Sequence, residues 1–144
     1  MTHEHRRCMS ILRILAAAFL LVGALGVAAA MPPEAAAAGA AYNAYLKNVK
    51  KADFDAVMAA TVPEKAAQMK QHKSEKDFPA MWGIFTSMHP SAVKVTDARM
   101  DGAKLVLTVE VTEGDKSTGT IEMQQIGGKW LVGQESYKGT MGEG

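Results

Sequence analysis

Beyond its first thirty residues the chain carries two histidines, His72 and His89, each at the expected end of a helix and each with a methionine close by: Met69 and Met88. Thioether and imidazole together hold cuprous ion, so one reading is a periplasmic copper-binding protein. Against it, Met81 and Met88 fall on the apolar stripe of an expected helix, where flexible methionine fills gaps in a core. An imidazole at a helix end is an ordinary surface group. Serine, histidine and aspartate all occur, but no nucleophile elbow or ordered triad phrase brings them together, so nothing supports hydrolytic chemistry. The expectation is no catalytic residue, no metal and no cofactor.

Charge removes another class of function. The chain has 16 basic and 15 acidic residues, and the first thirty positions hold Arg6, Arg7 and Arg13 against Glu4 alone. What remains is nearly neutral, without the clustered basic face by which proteins displace counterions from phosphate. Its richest run, Lys47, Lys50 and Lys51, is offset by Asp53 and Asp55. No nucleic-acid partner is expected.

Residues 1–30 read as a signal peptide. Arginines lead into the apolar run Ile14 to Val27, whose fourteen residues would span only ~21 Å as a helix, short of a ~30 Å hydrocarbon core. Ala28 and Ala30 place a small-x-small cleavage site before Met31, and Ala38 with Ala40 offers a second. An uncleaved anchor is the alternative, and Met9 opens an equally good leader from which translation could begin. The expected location is periplasmic or secreted, with membrane contact only through the leader. Cys8, the single cysteine, precedes the apolar run, so the mature domain has no disulfide and stands on its core alone.

Residues 31–138 then form a single α+β domain, followed by a disordered tail, 139–144. In the helical half, Tyr42, Tyr45, Leu46 and Val49 recur at helical spacing within a helix from Glu34 to Lys51. Asp53 caps a short helix with Phe54, Val57, Met58 and Thr61 on one stripe, and Pro63 starts a third helix reaching about Gln71. After a polar stretch, a fourth helix shows Phe78, Met81, Trp82, Phe85 and Met88 on one face and is closed by Pro90.

Past Pro90 the period changes to two. Val93 to Met100 is strand one, turning through Asp101 and Gly102, with Met100 opposite Ala103. Strand two, Lys104 to Thr112, points Leu105, Leu107, Val109 and Val111 inward. Strand three reaches Ile126, Gly127 and Gly128 turn, and strand four runs from Lys129 to about Ser136. Setting Ile126 opposite Lys129 pairs Gln125 with Trp130, Met123 with Val132 and Ile121 with Gln134. In strand one, Val93 and Val95 fall out of phase with Leu107 and Val109. That slip predicts a β-bulge near Thr96 and Asp97, which would curl the sheet.

Helices first and a curled antiparallel meander after, carried by Tyr45 to Val57 (YLKNVKKADFDAV), Val93 to Val111 (VKVTDARMDGAKLVLTVEV) and Gly127 to Val132 (GGKWLV), resemble the nuclear transport factor 2-like superfamily, in particular its small exported bacterial domains of unknown function. The resemblance implies a cone-shaped fold, N-terminal helices packed on a four-stranded antiparallel sheet, with a pocket between the two. Pocket candidates are Trp82, Phe85, Leu107, Val109, Met123, Gln125, Trp130 and Gln134. Enzymatic relatives, isomerases and dehydratases, carry Asp with His or Tyr there, but no such residue transfers to this chain. With only Gln125 and Gln134 polar among the inward positions, the expected function is a non-enzymatic binding or interaction domain for a small apolar ligand or a protein partner, homodimerisation being one form of the latter. An isomerase or dehydratase using the same pocket is the alternative.

Overall fold

The computed structural model describes residues 31–114 and 116–139. The expected leader and first cleavage site, Cys8 and residues 140–144 of the expected tail lie outside the described residues. Four helices, α1 (Glu34–Lys50), α2 (Phe54–Ala59), α3 (Pro63–His72) and α4 (Phe78–Met88), precede four strands, β1 (Val93–Asp101), β2 (Lys104–Val111), β3 (Ser117–Ile126) and β4 (Lys129–Gly139). The strands form one antiparallel sheet in the order β1-β2-β3-β4. Among the described residues no helix is long and apolar enough to cross a membrane.

Local chemistry accounts for the helix ends. Glu34 in the first turn of α1 and Lys47 and Lys50 in its last complement the helix dipole. The Asp53 carboxylate accepts the Ala56 backbone N–H at 3.2 Å, satisfying an orphan donor at the start of α2, and Pro63 occupies the first turn of α3, where its missing N–H goes unneeded. Between α2 and α3 the chain docks on β4: Val62 N donates to Val132 O at 2.9 Å, and Val132 N to Ala60 O at 2.8 Å.

The core is made by α1 lying in the curl of the sheet. Tyr42, Tyr45, Leu46 and Val49 meet Leu105, Leu107, Val109, Ile121, Met123 and Val132, and every one of these side chains is 1% exposed or less. At the start of β1, the Asn43 amide imitates a neighbouring strand, donating to Val93 O at 3.1 Å and accepting from Val93 N at 3.0 Å. This fixes one end of the sheet to α1.

The bulge in β1 is present: the register with β2 shifts between Val95 and Asp97, leaving Thr96 unpaired. Four expectations need correction. The first hairpin pairs Asp101 with Lys104 and Met100 with Leu105, two residues from the expected register. Gly102 takes the positive φ of the turn and Asp101 stays in the strand; because the offset is two, no side chain changes face. Gly139 belongs to β4, paired with Ser117, and not to the tail. In α4, Met81 and Met88 are exposed and only Phe78, Trp82 and Phe85 turn toward the body. Lastly, the expected partner of Ile121 was Gln134, but the structure pairs it with Glu135.

Candidate functional site

The last correction creates the most polar place in the interior. Between Met123–Val132 and Ile121–Glu135 the register slips, so Gly133 and Gln134 together stand opposite Glu122. Beyond this second bulge the phase of β4 is inverted: Gln134 points to solvent, while Glu135 and Tyr137 turn into the concave face against α1. Gly133 permits the bulge, for a Cβ there would lie 3.1 Å from Glu122 O.

Four donors converge on the Glu135 carboxylate, whose side chain is 7% exposed. Oε2 accepts the Tyr42 hydroxyl at 2.7 Å and His89 Nε2 at 3.0 Å. Oε1 accepts the Tyr45 hydroxyl at 2.8 Å and faces Lys65 Nζ at 3.6 Å. Lys65 is held by the bulge itself, donating to Gly133 O at 2.8 Å. Tyr137 adds a second tier. Since Tyr42 gives its proton to Glu135, its oxygen receives the Tyr137 hydroxyl in a short hydrogen bond. Gly119 makes room for this, because a Cβ there would come within 2.7 Å of the Tyr137 ring. All three tyrosines of the chain thus join one hydrogen-bonded cluster, two of them on the carboxylate and the third through Tyr42.

His89, expected at the surface, has a side chain only 11% exposed. Its Nδ1 lies 2.7 Å from Phe85 O, the carbonyl one turn back in α4, and its Nε2 faces Glu135. A carbonyl oxygen only accepts, as does an ionised carboxylate, so both ring nitrogens donate and the imidazole is protonated. Burial alone would lower the His89 pKa, but the hydrogen bond and charge of Glu135 outweigh it and hold it above its ordinary value. Burial likewise would raise Glu135, yet His89, Tyr42 and Lys65 together keep its carboxyl below the usual range. The tyrosines go the other way: desolvation first, then the Glu135 charge, push Tyr42 and Tyr45 far up, and Tyr137 is pushed up to about 12.

The pocket candidates are scattered by comparison. Leu107, Val109 and Met123 are fully enclosed beneath α1. Trp82, Phe85 and Trp130 are half-buried at the edge of the core. Gln125 pairs with Trp130 on the same face as Met123 but lies at the exposed end of the strand, and Gln134 is turned to solvent by the bulge. Trp82 and Phe85 instead continue a ladder of rings, from Phe54 (5.2 Å between centroids to Trp82) through Phe85 (5.1 Å from Trp82) to His89 (4.3 Å from Phe85). Both ring nitrogens of His89 are engaged, by Phe85 O and Glu135, and His72 is bonded to Glu75 at 2.8 Å.

An apolar pocket of about 340 Å³ opens elsewhere, between the first turns of α1 and β1, lined by Met31, Pro32, Pro33, Ala35, Ala36, Gly39 and Val95. Gly39 approaches Val95 so closely that a Cβ would stand 2.9 Å from Val95 Cγ2, and Val95 adjoins the first bulge. The curl of β1 and the small residues of α1 therefore shape this space together. Compared with known proteins, the chain matches no family model, no curated protein and no solved structure.

Proposed function

We propose that this chain is an exported, non-enzymatic binding domain of the nuclear transport factor 2-like type, working in the periplasm or beyond it, which holds a small apolar molecule in the pocket between α1 and β1. The observation that carries the reading is the character of that pocket: about 340 Å³, within the ordinary range for small-ligand sites, and lined by apolar side chains with no charged group among them. Such a lining selects by shape and dryness, which suits an alkyl or acyl chain. The cone-type assignment draws on helices preceding a curled sheet that wraps α1. The non-enzymatic part draws on Glu135, whose oxygens already accept three hydrogen bonds and face the Lys65 ammonium, an arrangement that favours the ionised, engaged carboxylate over a base free for a substrate proton. The test is fluorescence of N-phenylnaphthylamine, which brightens in dry sites. The wild type should enhance it saturably, and Ala36→Trp, an exposed pocket-wall position, should reduce binding at least tenfold without changing the circular dichroism. Equal binding by the two proteins would remove the pocket from consideration.

One observation favours a second reading, an acid–base enzyme of the isomerase or dehydratase kind. The chain Tyr137, Tyr42, Glu135, His89 is a continuous row of hydrogen bonds ending at a half-buried phenol. One proton moving from His89 to Glu135, a second from Tyr42 to Tyr137 and a third from Tyr137 to a substrate oxygen, with Glu135 recharging Tyr42, would leave neutral imidazole and a protonated carbonyl, which gives its α-proton to water and becomes the enol. This reading expects the protein to wash deuterium from D2O into the α-position of small enones or β-hydroxy carbonyl compounds, and Glu135→Gln to stop it. Absence of exchange across such a panel counts against it.

A further inference from the structure

Helix α4, FPAMWGIFTSM, contains no charged side chain, a composition that belongs to a helix covered on every side. Only one side is covered. Phe78, Trp82 and Phe85 pack on the body, while Met81, Ile84 and Met88 are 41%, 60% and 76% exposed. At about 100° per residue these three lie within roughly 60° of arc, a continuous stripe along the helix. We propose that the stripe is the seat of a second copy of this chain, α4 packing antiparallel on α4 about a two-fold axis near Ile84.

Three features select this occupant. The order Met-Ile-Met at positions 81, 84 and 88 reads the same in both directions, so a two-fold axis sets Met81 against the partner's Met88 and Ile84 near its counterpart, the self-matching that an isologous interface demands. The helix dipole sets the direction. The flank preceding α4 is charge-balanced, with Lys73, Glu75, Lys76 and Asp77, so side-chain charge does not choose between orientations, but antiparallel packing opposes the two helix dipoles, whereas parallel packing would align them. Size sets the strength: one helix face is well below the ~800 Å² per partner of a standard interface, so the dimer is weak, with a Kd on the order of 0.1 mM. This proposal does not rest on the ligand pocket, which Ala36→Trp can fill while α4 stays intact.

Sedimentation equilibrium on the purified chain tests it. A reversible monomer–dimer equilibrium is expected, and Ile84→Asp should weaken it at least tenfold with unchanged circular dichroism and melting, since Ile84 is a surface side chain. A short bismaleimide should link Ile84→Cys into dimers but not Thr120→Cys, which sits exposed on the sheet. A protein that stays monomeric at about 1 mM overturns the proposal. So does a dimer indifferent to Ile84→Asp and linked through Thr120→Cys, which would be a sheet-to-sheet pair. Ile84-dependent binding to phosphatidylglycerol vesicles by a monomer would overturn it in favour of a lipid surface.

Discussion

Replacing Glu135 by alanine should destabilise the domain by about 3–5 kcal/mol, a large share of the 5–15 kcal/mol that holds a typical domain together. The carboxylate is the common acceptor for Tyr42, Tyr45 and His89, and its loss leaves the Tyr45 hydroxyl unpaired in a region closed to water, Tyr42 with the Tyr137 hydroxyl alone, and the imidazolium without its counter-charge. For a domain of this size the melting temperature should fall by about 12 °C or more. Glu122→Gln provides the control. Glu122 lies 3.5 Å from Lys104 on the same sheet, but that pair is partly solvated, at 45% and 30% side-chain exposure, and its loss should matter by no more than about 1 kcal/mol. Glu135→Gln adds a second readout. The amide keeps the shape but not the charge, so burial, which already opposes protonation of His89, goes uncountered by that charge and the histidine should titrate below its wild-type value in an NMR titration. If Glu135→Ala melts within a few degrees of wild type, or the His89 titration does not move, the carboxylate is not the hub of the cluster.

The helical half of this architecture was legible because short-range signals carry it. Asp53 before Phe54, Pro63 at a helix start and a Tyr-Tyr-Leu-Val stripe each report on their own few residues, and each appears where the pattern placed it. The bulge in β1 was legible for a related reason: two valines out of phase with the next strand require one extra residue between them. The bulge in β4 left no such trace. Apolar Leu131 and Val132 sit on opposite faces there, and Gln134, Glu135 and Ser136 are all polar, so either phase of the strand reads equally well. Gly133 was the one available mark, an isolated glycine within a strand pattern, which commonly signals a bulge or a close backbone approach. Reading it so would have turned Glu135 and Tyr137 inward.

That single slip of one residue hid the polar site. With Gln134 assigned inward, the concave face had no titratable group, and Tyr42 and Tyr45 counted only as apolar rings on a helix stripe, although a buried hydroxyl requires a partner. His89 was placed correctly at a helix end but not recognised as buried, because the surface that covers it comes from a strand forty-six residues later. The exposed Met81 and Met88 show the converse limit. A wholly apolar helix gives no internal sign of which side meets the core, and the periodicity of α4 was equally consistent with a wider buried face.

The same cluster makes stability depend on pH with a definite sign. His89 has a raised folded pKa, so its contribution is complete below its unfolded value of about 6.5 and is lost as pH rises through the folded value. Glu135 has a lowered folded pKa, so its contribution is complete above about 4.3 and is lost as pH falls through the folded value. Both act fully between about pH 4.5 and 6.5, where the domain should be most stable. The larger effect lies above pH 10. Unfolded tyrosines ionise there, while burial and the Glu135 charge keep Tyr42 and Tyr45 protonated in the fold, so the native state binds two protons that the unfolded state has released. Each such proton removes about 1.4 kcal/mol of stability per pH unit, giving a decline of roughly 2.7 kcal/mol per unit and cooperative unfolding within a few units. Because the chain has only these three tyrosines, tyrosinate absorbance near 295 nm reports on the cluster alone. The folded domain at about pH 10.5 should show little of it, with most of the signal arriving together with unfolding, and Tyr42→Phe should flatten the slope of stability against pH by about half. Free titration of all three phenols in a domain still folded would mean that the carboxylate and its hydroxyls are open to water.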